Sequence, residues 1–142
     1  MGVEVVFKSY LKEVQKKINR IAKERMLEAV DEVRNKTLLK LTGNRSGRTY
    51  YVPGTKKAYT ASSPGEPPAI ATGALRQSIK GKVEGEGRAI VGMVGTDQKY
   101  GPMLEFGTHK GKHQILPRPW LRKSFEESQA KVKEIFTRIW FS

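Results

Sequence analysis

The sequence predicts an α+β fold, with a long N-terminal helix, a small antiparallel β-sheet containing a hairpin, and a C-terminal helix. Apolar residues recur every three or four positions over residues 10–41, and again over residues 120–141. Between them, residues 78–95 alternate in polarity around a Gly-Glu-Gly turn, which is typical of a β-hairpin. At 142 residues, we expect a single domain covering residues 1–142.

The first helix is predicted from Tyr10 to Leu41, and Gly43 is the residue expected to end it. Val3 to Phe7 precede it with alternating β-branched residues, which predict a short strand. A helix of this length spans roughly 48 Å, more than a small domain covers. We therefore expect it either to kink or to pack part of its apolar stripe on another subunit.

Residues 42–73 are predicted to form a long mobile loop. Its first part is basic and rich in tyrosine, and its second part is stiffened by Pro64, Pro67 and Pro68, whose rings restrict the main chain. Cations beside aromatic rings suit a nucleic-acid contact, where they meet phosphates and stack on bases. The same composition suits a protein–protein contact, where Tyr and Arg contribute most of the energy. Composition leaves both interpretations open.

The second half of the chain is predicted to alternate short elements with a basic loop. A helical turn can begin at Thr72 or Gly73. We then expect strands at 78–84 and 88–95, a short helix at 100–106, a basic loop at 107–119 and the C-terminal helix at 120–141.

The chain is strongly basic, with 27 Lys and Arg against 14 Asp and Glu, a net charge of +13. Such a field points to an anionic partner or an acidic protein surface. Residues 33–65 carry seven Lys and Arg and no acid, and residues 106–125 carry five more, again with no acid. Zero cysteines exclude disulfides and thiolate metal sites and fit a reducing cytoplasm. No stretch has the composition of a signal peptide or a membrane span.

The sequence predicts neither an enzyme nor a bound cofactor. His109 and His113 lie in a Gly/Lys loop whose cations would oppose a metal ion. No serine lies in a GxSxG elbow, and no glycines have a phosphate-binding spacing. A nuclease would need converging acids, and spacing does not pair Glu66, Asp97 or Glu105.

Glu105 needs an explanation because it stands between Leu104 and Phe106 in an apolar turn. A carboxylate that is even partly buried there needs a partner. Our hypothesis is an ion pair with Arg76 or Arg118 that holds neighbouring segments together. The alternative is that Glu105 points into water.

Several dense motifs occur in a fixed order along the chain. They read S-G-R-T-Y-Y-V-P-G at 46–54, S-x-P-G-E-P-P-A-x-x-T-G-x-L-R-x-S-I at 62–79, V-G-T at 94–96, Y-G-P-x-L-E-F-G-T at 100–108 and R-P-W-L-R-x-S-F at 118–125. In these motifs the chain resembles the tail-component family of long-tailed bacteriophages, which supplies tail-completion and head–tail joining proteins of the neck. The resemblance covers roughly residues 40–128. Gly101 departs from the usual alanine, and Trp120 stands where phenylalanine is more common.

The resemblance implies a structural virion protein of the phage neck or tail end, made in the host cytoplasm, with no enzymatic activity and no cofactor. It implies a ring of identical subunits, expected to be a hexamer, between tail-terminator and head-connector proteins, with phage DNA in the channel as a further contact. The alternative is a basic nucleic-acid-binding module, and a third option is a toxin or nuclease. The expected assembly residues lie in the motifs and the two loops: Arg45, Arg48, Tyr50, Tyr51, Lys56, Lys57, Pro64, Glu66, Pro67, Arg76, Tyr100, Glu105, Phe106, Lys110, Lys112, Arg118 and Trp120.

Overall fold

The computed structural model describes residues 2–71, 73–109, 111–112 and 114–140, with side chains from residue 11 onward. The predicted α+β class is confirmed. Two separate two-stranded antiparallel sheets, β1–β2 and β3–β4, accompany the helices. In chain order the elements are α1 (Gly2–Lys40), β1 (Thr49–Tyr51), β2 (Ala58–Thr60), α2 (Ala74–Ser78), β3 (Lys80–Glu84), β4 (Val91–Gly95), α3 (Gly101–Phe106) and α4 (Leu121–Thr137).

Helix α1 runs without interruption from Gly2 to Lys40, so the predicted strand at Val3–Phe7 is wrong, and the helix begins eight residues before the predicted start at Tyr10. A strand there would need a partner for its main-chain groups, whereas extending an existing helix adds one hydrogen bond per residue. Leu11 and Ile18 on the N-terminal half of α1 are exposed. Among the side chains of α1 that the structure describes, from residue 11 onward, continuous burial of the apolar stripe is confined to the C-terminal half of the helix.

The β3–β4 hairpin lies directly on α1, and glycines make that close packing possible. A Cβ atom added at Gly81 would lie 2.5 Å from Cγ1 of Val30, and one at Gly92 would lie 2.6 Å from Sδ of Met26. The opposite face of the hairpin carries exposed charged side chains such as Lys82. The predicted alternation of this hairpin therefore matches its two faces.

Helix α4 packs against α1 in the opposite direction. Nζ of Lys40 lies 2.7 Å from Oε1 of Glu127, and Nη1 of Arg138 lies 2.8 Å from Oε1 of Glu28. Small hydroxyl side chains allow the two helices to approach closely. Each is buried, and its hydroxyl is satisfied by donating to the carbonyl one turn earlier in its own helix. They are Thr37, Ser124 and Ser128.

The centre of the core is formed by Leu41, Ile79 and Trp120, with Leu104 packed against them. Leu41 directly follows α1, Ile79 directly precedes β3, Trp120 directly precedes α4, and Leu104 lies in α3. The core is therefore built largely from motif residues, since Ile79, Leu104 and Trp120 all belong to the motifs.

The other predicted boundaries hold to within a few residues. Helix α2 begins at Ala74 with Gly73 at its N-cap, while Thr72 lies outside the described residues. Helix α4 begins one residue after Trp120 and ends at Thr137. Within the described part of the chain, no helix is long and apolar enough to cross a membrane.

Candidate functional site

The region predicted as one loop, residues 42–73, contains a second β-hairpin. Strands β1 and β2 pair Thr49 with Thr60 and Tyr51 with Ala58. The ladder continues outward, because the N–H of Ala61 donates to the carbonyl of Arg48 at 2.8 Å. Three-residue strands are too short for their alternation to be recognised in the sequence, which is why this hairpin was not predicted.

Arg45 fastens the proline-rich part of this region to the end of α1. Its Nε donates to the carbonyl of Pro67 at 2.7 Å, and its Nη2 donates to the carbonyls of Lys40 at 2.8 Å and Pro68 at 3.2 Å. A guanidinium beside the last carbonyls of a helix also complements the helix dipole. Arg45 therefore acts inside the chain, as a tie between helix and loop.

Glu66 links the chain segments on either side of the β1–β2 hairpin, and we call this link the β1–β2 closure. Its carboxylate accepts hydrogen bonds from the hydroxyl of Ser46 at 2.6 Å, the N–H of Ser46 at 3.1 Å and the N–H of Ser63 at 2.9 Å. Together with a smaller effect of the Arg45 charge, these bonds lower the pKa of Glu66 from 4.5 to about 2, and the Ser46 hydroxyl is the largest cause. The S-x-x-E spacing of Ser63 and Glu66 is the capping-box pattern and could have predicted the bond to Ser63.

This arrangement predicts a defined acid transition for the β1–β2 closure. A carboxylate with a lowered folded pKa stabilises the closure fully above about pH 4.5, and this stabilisation is lost as pH falls toward about 2. We expect the ¹³C shift of the Glu66 carboxyl carbon to titrate near pH 2 in the folded protein. Ser46→Ala should move the midpoint clearly upward. Ser63→Ala keeps its main-chain N–H and should move it less, and equal shifts would contradict this assignment.

Glu105 caps the N-terminus of α4, and the predicted ion pair with Arg76 or Arg118 is wrong. Its Oε2 accepts the N–H of Trp120 at 2.8 Å and of Leu121 at 2.9 Å, and its Oε1 accepts the N–H of Arg122 at 3.0 Å. The side chain is only 8% exposed, so it does not point into water either. Three unpaired N–H groups at a helix start form a better partner for a buried carboxylate than one mobile guanidinium. No sequence spacing reveals this cap, because it joins α3 to α4 across the intervening loop.

The proline-rich segment and the 107–119 loop are tied to each other through main-chain carbonyls. Nε and Nη2 of Arg118 both lie 3.3 Å from the carbonyl oxygen of Ser62. The N–H of Gly65 donates to the carbonyl of Pro117 at 3.1 Å, and Nζ of Lys123 donates to the carbonyl of Gly65 at 3.2 Å. These hydrogen bonds join two motif segments that lie more than fifty positions apart in the sequence into one junction.

The β1–β2 hairpin presents the predicted basic and aromatic residues to solvent. Tyr51 is 70% exposed and Tyr50 is half exposed, with the Tyr50 ring centred 6.1 Å from the Tyr59 ring. The cations of this hairpin region, which contains no acid between residues 46 and 60, are also exposed: Arg48, Lys56 and Lys57.

The remaining predicted residues are scattered. Arg76 and Tyr100 line a small cleft of about 200 Å³. Phe106 is 64% exposed, and Pro64 and Lys112 are exposed. Trp120 is a core residue, only 1% exposed. Lys110 and His113 lie outside the described residues.

An apolar groove of about 830 Å³ was not predicted from the sequence. It runs between β4 and α4, with α1 beneath it, and its walls include Val30, Val91, Phe125, Val132 and Phe136. The sequence signal was the apolar face of each separate element. Which of these faces would remain uncovered depends on how the elements pack.

Among the described residues, no three His, Cys, Asp or Glu side chains converge in a way that could hold a metal ion. The two carboxylates of the motif segments, Glu66 and Glu105, are each already engaged by N–H or O–H donors. Their arrangement is that of structural ties within the chain.

The chain was compared with models of protein families, with curated proteins and with solved structures. None of the three comparisons gave a match.

Proposed function

We propose that this chain is a structural protein of a bacteriophage neck or tail end, which completes the tail and joins it to the head by forming a ring of identical subunits. The observation that carries the proposal is what the motif residues do. Arg45, Glu66, Glu105 and Arg118 bind main-chain groups of other motif segments, and Trp120 fills the core between them. Residues that build a rigid junction suit a protein whose function is to hold others in place.

Uncovered apolar surface also supports assembly. Exposed apolar side chains occur on α1, α3, α4 and the segment that follows α4, including Leu11, Phe106, Phe125 and Ile139. Exposed apolar residues that lie together often mark protein contacts, and Phe106 and Phe125 line one apolar groove. The proposed partners are further copies of this chain, in a hexameric ring, and the tail-terminator and head-connector proteins on either side, within the virion.

The alternative function is a basic nucleic-acid-binding module. The exposed Tyr50 and Tyr51 beside Arg48, Lys56 and Lys57 favour it, since rings can stack on bases while the cations meet phosphates. The net charge of +13 supports either reading, because a ring around DNA and a DNA-binding module both need cations.

A joining assay tests the proposal. Phage particles made without this gene should accumulate filled heads and separate tails, and the purified protein should restore joined particles in extracts. Normal joining without the protein would overturn the neck assignment. A salt titration with duplex DNA distinguishes the alternative, because a DNA-binding module loses affinity steeply as salt rises. Salt-dependent binding with a defined footprint, in a protein that fails to restore joining, would favour the module.

A further inference from the structure

The two edges of the β3–β4 sheet differ in how they are protected. Strand β3 reads Lys-Gly-Lys-Val-Glu, and charged side chains of this kind discourage the pairing of another strand. Strand β4 reads Val-Gly-Met-Val-Gly, with no charge and no proline. Among the described residues β4 pairs only with β3, so one of its edges is open. In an antiparallel pair every second residue directs its N–H and C=O away from the partner. The open edge of β4 therefore offers unpaired main-chain groups without the usual protection.

The apolar groove lies alongside β4. Residues of β4 form one wall, with Val91 and Val94 among them, and Phe125 and Phe136 of α4 form the other. Both elements pack on α1, which leaves a space of about 830 Å³ between them. Clefts of roughly 300–1,000 Å³ commonly receive ligands. A strand laid in this groove would gain main-chain pairing from β4 and apolar contacts from α4.

One residue that lines the groove has a buried polar atom without a partner. Trp120 lines it, and the indole Nε1 of this buried residue has no acceptor among the described residues. A buried donor without a partner is uncommon in a folded protein.

Charge indicates what kind of segment the groove accepts. Arg88 precedes β4 and Lys99 follows it, and neither forms an ion pair with a described residue. Arg122 is also exposed at the α4 wall, with its Nε 4.0 Å from Oε1 of the equally exposed Glu126. The exposed apolar loop of a second copy, which includes Ile115 and Leu116, is a poor occupant because it lies in an acid-free basic run. A segment with acidic flanks complements these cations.

We propose that the open edge of β4 and the groove beside it bind an extended apolar segment, flanked by acidic residues, from a different protein, as an added β-strand. This inference does not depend on the neck assignment. It concerns the purified chain alone, and its test gives an answer whether or not the protein joins heads to tails.

The probe is a synthetic peptide of alternating valine and threonine with aspartates at both ends, titrated against the full-length protein. We expect saturable binding, and slower hydrogen exchange at amides of β4 with little change in β3. Phe125→Ser should weaken binding about tenfold or more, because it removes the aromatic ring against which the peptide would bury its apolar side chains. Phe125 is 52% exposed, so this variant should fold.

Matched controls distinguish strand addition from nonspecific hydrophobic binding. Leu39→Ser removes an apolar side chain from α1 that is more exposed than Phe125 and lies outside the groove, and it should leave affinity within about twofold. A peptide with lysines in place of aspartates should bind about tenfold weaker at low salt. No binding, equal binding to the Phe125→Ser variant, or protection of β3 in place of β4 would overturn the proposal. Self-association of the free protein that Phe125→Ser abolishes would also overturn it, by assigning the groove to a second copy.

Discussion

Replacing Trp120 with alanine is expected to lower the free energy of unfolding by about 3–5 kcal/mol, the largest effect of any single substitution proposed for this chain. Trp120 is 1% exposed and packs with Leu41 and Ile79 at the centre of the core. Truncation would leave a large cavity where α1, β3 and α4 meet, and the helices around it can collapse only partly. Urea denaturation followed by circular dichroism measures the loss.

Trp120→Phe provides the informative comparison. Phenylalanine keeps most of the ring and removes the indole N–H, which has no acceptor among the described residues. We expect a loss of about 1–2 kcal/mol, because some packing disappears while a buried unsatisfied donor is also removed. Phe125→Ala, a half-exposed aromatic on the same helix, should cost no more than about 1 kcal/mol. Equal effects of Trp120→Ala and Phe125→Ala would contradict the central position of Trp120.

Replacing Glu105 with glutamine is expected to lower the free energy of unfolding by about 2–3 kcal/mol. The substitution keeps the shape of the side chain, but one oxygen becomes an NH₂ group that cannot accept a hydrogen bond. The N–H groups of Trp120, Leu121 and Arg122 then share a single acceptor without a full negative charge. The start of α4 should loosen, and its amides should exchange their hydrogens faster in the variant than in the unsubstituted protein.

Glu126→Gln is the matched control for this cap. Glu126 lies on the exposed face of the same helix, 4.0 Å from Nε of Arg122, and its side chain is 61% exposed. An exposed pair of this kind contributes little, so we expect a change within about 0.5 kcal/mol. If Glu105→Gln were no more destabilising than Glu126→Gln, the capping role would have to be abandoned.

Glu105 also illustrates why a sequence predicts the need for a partner more easily than its identity. The apolar neighbours of this acid correctly indicated that a buried carboxylate would require one. The predicted partners were charged side chains, since those are visible in a sequence. The real partners are main-chain N–H groups of α4, which every residue possesses and which become available only where a helix begins.

Arg45 illustrates the same difference for a cation. Its place in an acid-free run predicted an outward role, yet its guanidinium binds carbonyls of the chain itself. By contrast, Tyr51 and Lys56 on the β1–β2 hairpin are exposed, as a contact role requires. The inward and the outward side chains come from sequence of the same basic and aromatic composition. Only the tertiary structure shows which of them bind the chain itself and which face solvent.

Local periodicity was enough to determine the α+β class, the long first helix, the 80–95 hairpin and the C-terminal helix, because each depends on residues a few positions apart. The tertiary structure alone decided which motif residues are ties and which surfaces stay open. The cap at Glu105, the closure at Glu66 and the groove beside β4 all join elements that lie far apart in the chain. Such contacts depend on how helices and strands pack in three dimensions, and no pattern of spacing encodes that directly.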